Sequence, residues 1–105
     1  MALDMVANVN ANNFPSTDIY LVRHGQTEAN IQGWMSGWSE TDLTEVGIAQ
    51  AQAAGDALLD ASIKKVIASD LSRAHRTAEL VSDRARGGEV ALVPELREWH
   101  FGRFE

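Results

Sequence analysis

The 105-residue chain is predicted to adopt an α/β fold, a three-layer sandwich of helices packed on a mainly parallel sheet. Three short apolar runs alternate along the sequence with two helical patterns, and parallel strands need such crossovers. Each apolar run is also followed at once by charged or hydroxyl-bearing residues. Ligands bind at this edge of an open parallel sheet, so the same pattern predicts where a functional site lies.

The chain begins with an asparagine-rich segment, residues 1–17, which has no periodicity and is expected to be a flexible leader. The first strand is predicted at Asp18–Arg23. Residues Gln26–Thr41 mix glycine and serine with Trp34 and Trp38, and this composition predicts a loop. Either tryptophan is expected to wall a pocket or to pack beneath the loop.

The first long helix is predicted to begin at Thr44, a suitable N-cap, with Leu43 and Ile48 spaced as a hydrophobic staple. Small apolar side chains recur on one side of this helix and predict a face that approaches the sheet closely. This predicted face consists of Val46, Ala49, Ala53 and Ala57. The second strand follows the helix, at Lys64–Ala68.

A second long helix is expected after Ser69 and Asp70, either of which can cap it, and to end at Gly87-Gly88. For Asp70, a role as helix cap is favoured over one as a catalytic acid. Arginines near the end of this helix suit the negative end of its dipole. The apolar face is predicted to consist of Leu71, Ala74, Ala78, Val81 and Ala85.

Polar side chains follow all three predicted strands, the third of which is Val90–Val93. Because parallel strands end at one edge of a sheet, residues far apart in sequence are expected to converge there. The converging residues are Arg23 and His24 after the first strand, Ser69, Asp70 and Arg73 after the second, and Arg97 and Glu98 after the third.

The composition excludes several classes of function. A net charge of −6 argues against nucleic-acid binding, whereas seven arginines among nine cations suit a small anionic ligand. No apolar run is long enough for a membrane span, and the chain has no cysteine, so a cytoplasmic location is expected. His24, His75 and His100 lack the spacing of a metal site, and no cofactor is expected.

Five segments occur together in an order that resembles the histidine phosphatase superfamily, which includes phosphoglycerate mutases. The resemblance extends from about Ile19 to Glu105, so that residues 18–105 are interpreted as the N-terminal portion of a histidine phosphatase domain. The segments are Arg23-His24-Gly25, Asn30, Leu43-Thr44-x-x-Gly47, Ser69-Asp70-Leu71-Ser72-Arg73-Ala74 and Leu96-Arg97-Glu98-Trp99-His100-Phe101-Gly102.

The resemblance implies a role for each of five residues. His24 is expected to attack phosphorus and become a phosphohistidine. Arg23, Asn30 and Arg73 are expected to bind the phosphate, and Glu98 to protonate the leaving oxygen. From the residues alone, Glu98 remains open between acid catalyst and surface carboxylate.

Members of the family have a second histidine far downstream, and neither His75 nor His100 matches it. The chain is therefore expected to be an incomplete fold that lacks the C-terminal half, including a strand between the first two present here. Such a gap leaves an open sheet, through which self-association is expected.

The function inferred from the sequence is hydrolysis of a phosphate monoester, with a small phosphorylated metabolite as substrate. Residues Gln26–Asn30 are more similar to those of broad-specificity phosphatases than to those of glycolytic mutases. Two alternatives remain: phosphoglycerate mutase-type transfer, and an inactive remnant that at most binds phosphate.

Overall fold

The computed structural model describes residues 6–8 and 18–98, and within them it is an α/β fold. The strands are β1 (Val6–Asn8), β2 (Tyr20–Val22), β3 (Val66–Ala68) and β4 (Val90–Leu92). The helices are α1 (Glu28–Gln32), α2 (Glu45–Ala57) and α3 (Ser72–Ala85), with 3₁₀ turns at Leu59–Ala61 and Pro94–Leu96.

The three predicted strands are present in shortened form as β2, β3 and β4. Strands β3 and β4 are parallel, in the register that pairs Val66 with Val90. Strand β2 pairs with β1 instead, antiparallel, with Val6 opposite Val22. The prediction of a leader without regular structure is therefore wrong for Val6–Asn8, because these residues bond to the edge of β2.

The segment predicted as a loop contains the short helix α1. Thr27 and Asn30 form a reciprocal capping box at its start. Asn30 N donates to Thr27 Oγ1 at 3.2 Å, and Thr27 N donates to Asn30 Oδ1 at 2.9 Å. Gly33 ends the helix in a left-handed conformation, with φ of 77°. Local capping thus produces a helical turn in a sequence with little apolar periodicity.

Helix α2 begins as predicted, with Gly47 N donating to the Thr44 hydroxyl at 3.1 Å. Its predicted apolar face is wrong. Val46, Ala49, Ala53 and Ala57 are all exposed, whereas the buried residues of the helix are Gly47, Ala51, Ala54 and Gly55. The buried face is the one that packs on α3, where a Cβ on Gly55 would lie 2.6 Å from the Arg84 Cβ.

The buried face of α3 matches its prediction at Leu71, Ala78, Val81 and Ala85, while Ala74 is partly buried. Both ends of the helix differ from expectation.

The start of α3 is not capped by Asp70. Ser69 Oγ accepts from Leu71 N at 3.1 Å, and Glu40 Oε2 accepts from Ser72 N at 2.8 Å. At the other end, Arg86 rather than a glycine ends the helix with φ of 58°. Gly87 N then bonds Ser82 O at 2.9 Å.

The hydrophobic core lies between α2 and α3, with strand residues at its margin. Tyr20 and Val22 point into the core, while the intervening Leu21 is 59% exposed and Ile67 of β3 is 53% exposed. The described residues therefore cover one side of the strands, and the third layer of the sandwich stays a prediction. No helix within those residues is long and apolar enough to cross a membrane. The core residues are Ala51, Ala54, Leu58, Leu80, Val81 and Ala85.

Candidate functional site

The site is built around the loop that follows β2, and α3 holds this loop from one side. Gly25 N donates to Thr77 Oγ1 at 3.1 Å, and the same hydroxyl donates to the Arg73 carbonyl at 2.7 Å. Thr77 is 3% exposed, so both hydrogen bonds are shielded from water. One buried threonine thus fixes the loop bearing His24 relative to the helix bearing Arg73.

Helix α2 holds the same loop from the other side by close contact. A Cβ on Gly25 would lie 2.3 Å from the Gly47 carbonyl oxygen, and a Cβ on Gly47 would lie 2.1 Å from the Gln26 carbonyl oxygen. Gln26 N donates to Gln50 Oε1 at 2.9 Å, and Thr44 N donates to Gln26 O at 3.0 Å. The two glycines therefore permit a backbone approach that side chains would prevent.

The imidazole of His24 has a defined tautomer. Its Nδ1 lies 2.8 Å from the Gly25 carbonyl oxygen, which can only accept, so Nδ1 carries the hydrogen and Nε2 presents a lone pair. Burial lowers the pKa of His24 below 6.5, and the charges of Arg73 and Arg23 lower it further. The hydrogen bond to Gly25 and the charge of Glu98 act in the opposite direction but do not prevail. The side chain is therefore a neutral imidazole at pH 7.

Among the described residues, Arg73 is the largest fully buried side chain, with 2% exposure. Its Nη1 donates to the Ser39 carbonyl at 2.9 Å, and its Nη2 donates to the Gly37 carbonyl and to Glu98 Oε1, the latter at 2.6 Å. Three acceptors around one guanidinium offset the cost of burying its charge. The carboxylate of Glu98, about half exposed, is the anion paired with it.

The remaining predicted phosphate ligands are less closely placed. Arg23 is exposed, and its charge is near enough to act on the imidazole of His24. Asn30 is also exposed, and its Oδ1 is occupied by the capping bond to Thr27. The structure thus brings His24, Arg73 and Glu98 together, with Arg23 at the rim. The position of Asn30 is fixed by its capping bond to Thr27 at the start of α1.

Asp70 and Arg97 form an ion pair beside this cluster, so the interpretation of Asp70 as a helix cap is wrong. Arg97 Nε and Nη2 donate to the two carboxylate oxygens of Asp70, each at 2.5 Å. These hydrogen bonds hold the pKa of Asp70 below its ordinary value. The guanidinium also lies over the Trp38 ring, 4.8 Å from its centroid.

Two other aromatic or histidine side chains lie away from the cluster. His75, on α3, has its Nε2 3.6 Å from Glu79 Oε1, and Trp34 is 63% exposed. Trp99 and His100, with the rest of the predicted segment that ends at Gly102, lie outside the described residues.

Sequence reasoning missed Thr77 and the carbonyls of Gly37 and Ser39 that bind Arg73. Thr77 had a readable signal, since it lies one helical turn after Arg73 and therefore on the same side of the helix. The two carbonyls had none, because main-chain ligands depend on loop conformation and not on residue type.

The described residues combine an α/β fold with a neutral imidazole in the loop after β2 and a buried guanidinium on α3. The family model described as histidine phosphatase superfamily (branch 1) matches residues 19–105. The chain belongs to this superfamily, as the resemblance in its sequence implied.

Named relatives include both phosphatases and mutases. The adenosylcobalamin/alpha-ribazole phosphatase of Salmonella typhimurium is 45% identical over 87 residues, 83% of this chain and 43% of the relative. A probable phosphoglycerate mutase of Erwinia tasmaniensis is 47% identical over 87 residues, 83% of this chain and 40% of the relative. The chain thus spans less than half the length of these relatives.

Solved structures agree with this membership. A mycobacterial glucosyl-3-phosphoglycerate phosphatase, in a complex with VO3, superposes with a TM-score of 0.74 and 38% identity. The superposition covers 79% of this chain and 41% of the other. The relatives are enzymes, and the fold of this chain is that of phosphoglycerate mutase-like histidine phosphatases.

Proposed function

We propose that the protein hydrolyses a phosphate monoester through a phosphohistidine on His24. The observation that carries this proposal is the state of the imidazole. Its Nδ1 hydrogen is engaged by the Gly25 carbonyl at 2.8 Å, and its lowered pKa keeps Nε2 unprotonated beside two arginines. A neutral imidazole is a competent nucleophile, and adjacent guanidiniums suit the charge of a phosphoryl group.

In the proposed reaction, His24 Nε2 forms a bond to phosphorus as the bond from phosphorus to the substrate oxygen breaks. Arg73 and Arg23, with Asn30 as a further donor, bind the phosphoryl oxygens. Glu98, paired as a carboxylate with Arg73 in the free protein, takes up a proton from solvent as the anionic substrate binds and then gives this proton to the leaving oxygen. Water then attacks the phosphohistidine, breaking the nitrogen–phosphorus bond, and Glu98 recovers a proton from that water.

The proposed substrate is a small phosphorylated metabolite. This follows the names of the relatives, one of which is an alpha-ribazole phosphatase and another a phosphatase of glucosyl-3-phosphoglycerate. The net charge of −6, with arginines collected at one site, also suits a small anion. We further propose a cytoplasmic location and no nucleic-acid or membrane partner.

The test uses the 105-residue chain with p-nitrophenyl phosphate and measures both released nitrophenol and acid-labile phosphate on the protein. We expect turnover and a trapped phosphohistidine, both abolished in His24→Ala. His75→Ala is the matched control, because that histidine lies on α3 with Glu79. Full turnover in His24→Ala would eliminate the mechanism.

Phosphoglycerate mutase-type transfer is the second candidate, supported by relatives of that name. In this reaction the phosphohistidine returns its phosphoryl group to a second hydroxyl instead of to water. Supplying 3-phosphoglycerate and following its products by ³¹P NMR separates the two, since a mutase yields the 2-phospho isomer and a phosphatase yields inorganic phosphate.

Phosphate binding without turnover is the third candidate. Within the described residues the cluster contains one histidine, His24. This candidate predicts binding of orthovanadate that is weakened by Arg23→Ala or Arg73→Ala, with no release of nitrophenol. Calorimetric titration with orthovanadate distinguishes it from an active enzyme.

A further inference from the structure

We propose that Asp70, Arg97 and Trp38 are positioning residues that hold Glu98 in place to protonate the leaving oxygen. The inference rests on the proposed function and extends it to three side chains to which that function assigns no role in binding the phosphate. Their contacts reach Glu98 through its neighbour Arg97 and through its own main-chain carbonyl.

The first support is the ion pair between Arg97 and Asp70. Two donors of one planar guanidinium meet two oxygens of one carboxylate, each at 2.5 Å, and this arrangement fixes orientation as well as distance. Asp70 lies between the buried Ser69 and Leu71, where β3 leads into α3. The ion pair thereby fixes the position of Arg97, and of its neighbour Glu98, relative to the start of the helix that carries Arg73.

The second support is Trp38, which contacts both ends of this segment. Its ring lies under the Arg97 guanidinium at 4.8 Å, and its indole Nε1 donates to the Glu98 carbonyl at 2.7 Å. A guanidinium stacked on an indole and held by a carboxylate has little rotational freedom. The main chain of Glu98 is therefore restrained by Trp38 directly, as well as through Arg97 and Asp70.

The third support is where the restrained carboxylate lies. Glu98 Oε1 is 2.6 Å from Arg73 Nη2, and the charge of Glu98 acts on His24. Glu98 is about half exposed, so burial alone does not fix its side chain. Within the part of the chain that the structure describes, its carboxylate contacts Arg73, its carbonyl contacts Trp38, and its neighbour Arg97 contacts Asp70.

The first arm of the test compares leaving groups in Asp70→Asn. An alkyl phosphate needs protonation of its leaving oxygen, whereas nitrophenolate leaves readily without it. With β-glycerophosphate we expect kcat to fall about 10- to 100-fold with little change in KM, because a misplaced acid costs up to about that factor. With p-nitrophenyl phosphate we expect a fall of less than about threefold. Equal losses on both substrates would overturn the proposal.

A control variant and a double-mutant comparison distinguish a positioning role of Asp70 from a general loss of stability. Asp56→Asn breaks another aspartate–arginine pair, the exposed contact with Arg84 at 3.4 Å, and we expect it to leave kcat unchanged. In Glu98→Gln, adding Asp70→Asn is expected to cost nothing more in kcat. A further loss there would show that Asp70 does not act through Glu98.

A second substitution guards against failure of Asp70→Asn to fold. Arg97→Lys keeps the charge and loses the paired donors, so we expect kcat on β-glycerophosphate to fall while kcat on p-nitrophenyl phosphate falls by less than about threefold. Equal losses on the two substrates in Arg97→Lys would overturn the proposal independently of Asp70→Asn.

The last arm does not depend on turnover. Hydrogen exchange at the Trp38 indole, followed by NMR and assigned with Trp38→Phe, reports directly on the contact with Glu98. We expect faster exchange in Asp70→Asn and an unchanged rate in Asp56→Asn. If the wild-type chain shows no turnover, the proposed function fails while this measurement still decides the inference. An unchanged rate in Asp70→Asn overturns the inference.

Discussion

His24 shows how a single side chain can be prepared for its proposed chemistry by its surroundings. Burial disfavours the imidazolium, the nearby arginines disfavour it further, and the Gly25 carbonyl selects which nitrogen keeps the hydrogen. The sequence places Arg23 directly before His24, so the effect of this one charge on the pKa of His24 could be predicted from the sequence. Burial and the charge of Arg73 depend on the fold.

The pKa of His24 is expected to lie below 6.5 in a titration followed by the ring carbon shifts in NMR. The physical reason is desolvation, reinforced by the charges of Arg73 and Arg23. His24→Gln identifies the resonance by its absence. A midpoint at or above 6.5 would contradict the described environment of the ring.

The same shift sets a direction for stability. Because the folded state binds the proton of His24 more weakly than the unfolded chain does, this residue destabilises the fold as pH falls below 6.5 towards its folded pKa. Well above 6.5 the ring is neutral in both states, and the effect vanishes. The effect should be absent in His24→Gln.

Part of the candidate site could be predicted residue by residue. His24, Arg73 and Glu98 meet because each follows a strand of the fold, and that order is visible in the sequence. Asp70 was misread, since the sequence shows its place before a helix but not its distance from Arg97. The capping bond of Asn30 to Thr27 depends on α1, a helix too short to give a clear pattern.

At the level of secondary structure, helix α2 shows why small residues mislead pattern analysis. Alanine and glycine occur on several sides of it, and Val46, its first aliphatic residue, is 53% exposed. The buried face is the one at which the α2 backbone approaches its neighbours most closely. Gly47 lies against the loop after β2, and Gly55 lies against α3. Hydrophobicity alone does not predict such a choice.

Gly47→Ala is expected to destabilise the protein despite the helix preference for alanine. That preference favours alanine by about 1 kcal/mol. The added methyl would lie 2.1 Å from the Gln26 carbonyl oxygen, and crowding of this kind costs about 1–3 kcal/mol. We expect a lower urea midpoint.

The reverse change at exposed Ala49, Ala49→Gly on the same helix, measures the preference by itself. If Gly47→Ala proved more stable than the wild type, the close contact between α2 and the loop would not exist in solution.

For the molecule as a whole, the described strands form two separate pairs, β1 with β2 and β3 with β4. The alternation of strands and helices predicted the α/β class and the parallel pairing of β3 with β4. It did not predict β1, because three residues within an asparagine-rich segment carry almost no pattern.

Self-association through the outer surface of the strands is expected, since Leu21 and Ile67 are both more than half exposed there. Light scattering over a range of concentrations should show a mass above that of one chain. The double substitution Leu21→Lys and Ile67→Lys should restore the monomer. Val46→Lys, which changes an exposed apolar residue of α2, is the control. A wild-type monomer with one cooperative melt would count against this expectation.

The contact between Arg73 and Glu98 has a consequence for any ligand that enters. Both hydrogens of Arg73 Nη2 are already engaged, one by Gly37 and one by Glu98 at 2.6 Å. An incoming oxyanion must therefore compete with a carboxylate that the protein itself supplies. The measured affinity for an anion will then reflect the replacement of Glu98 by that anion at Arg73. A large inhibition constant therefore does not show that the contact between Arg73 and the anion is itself weak.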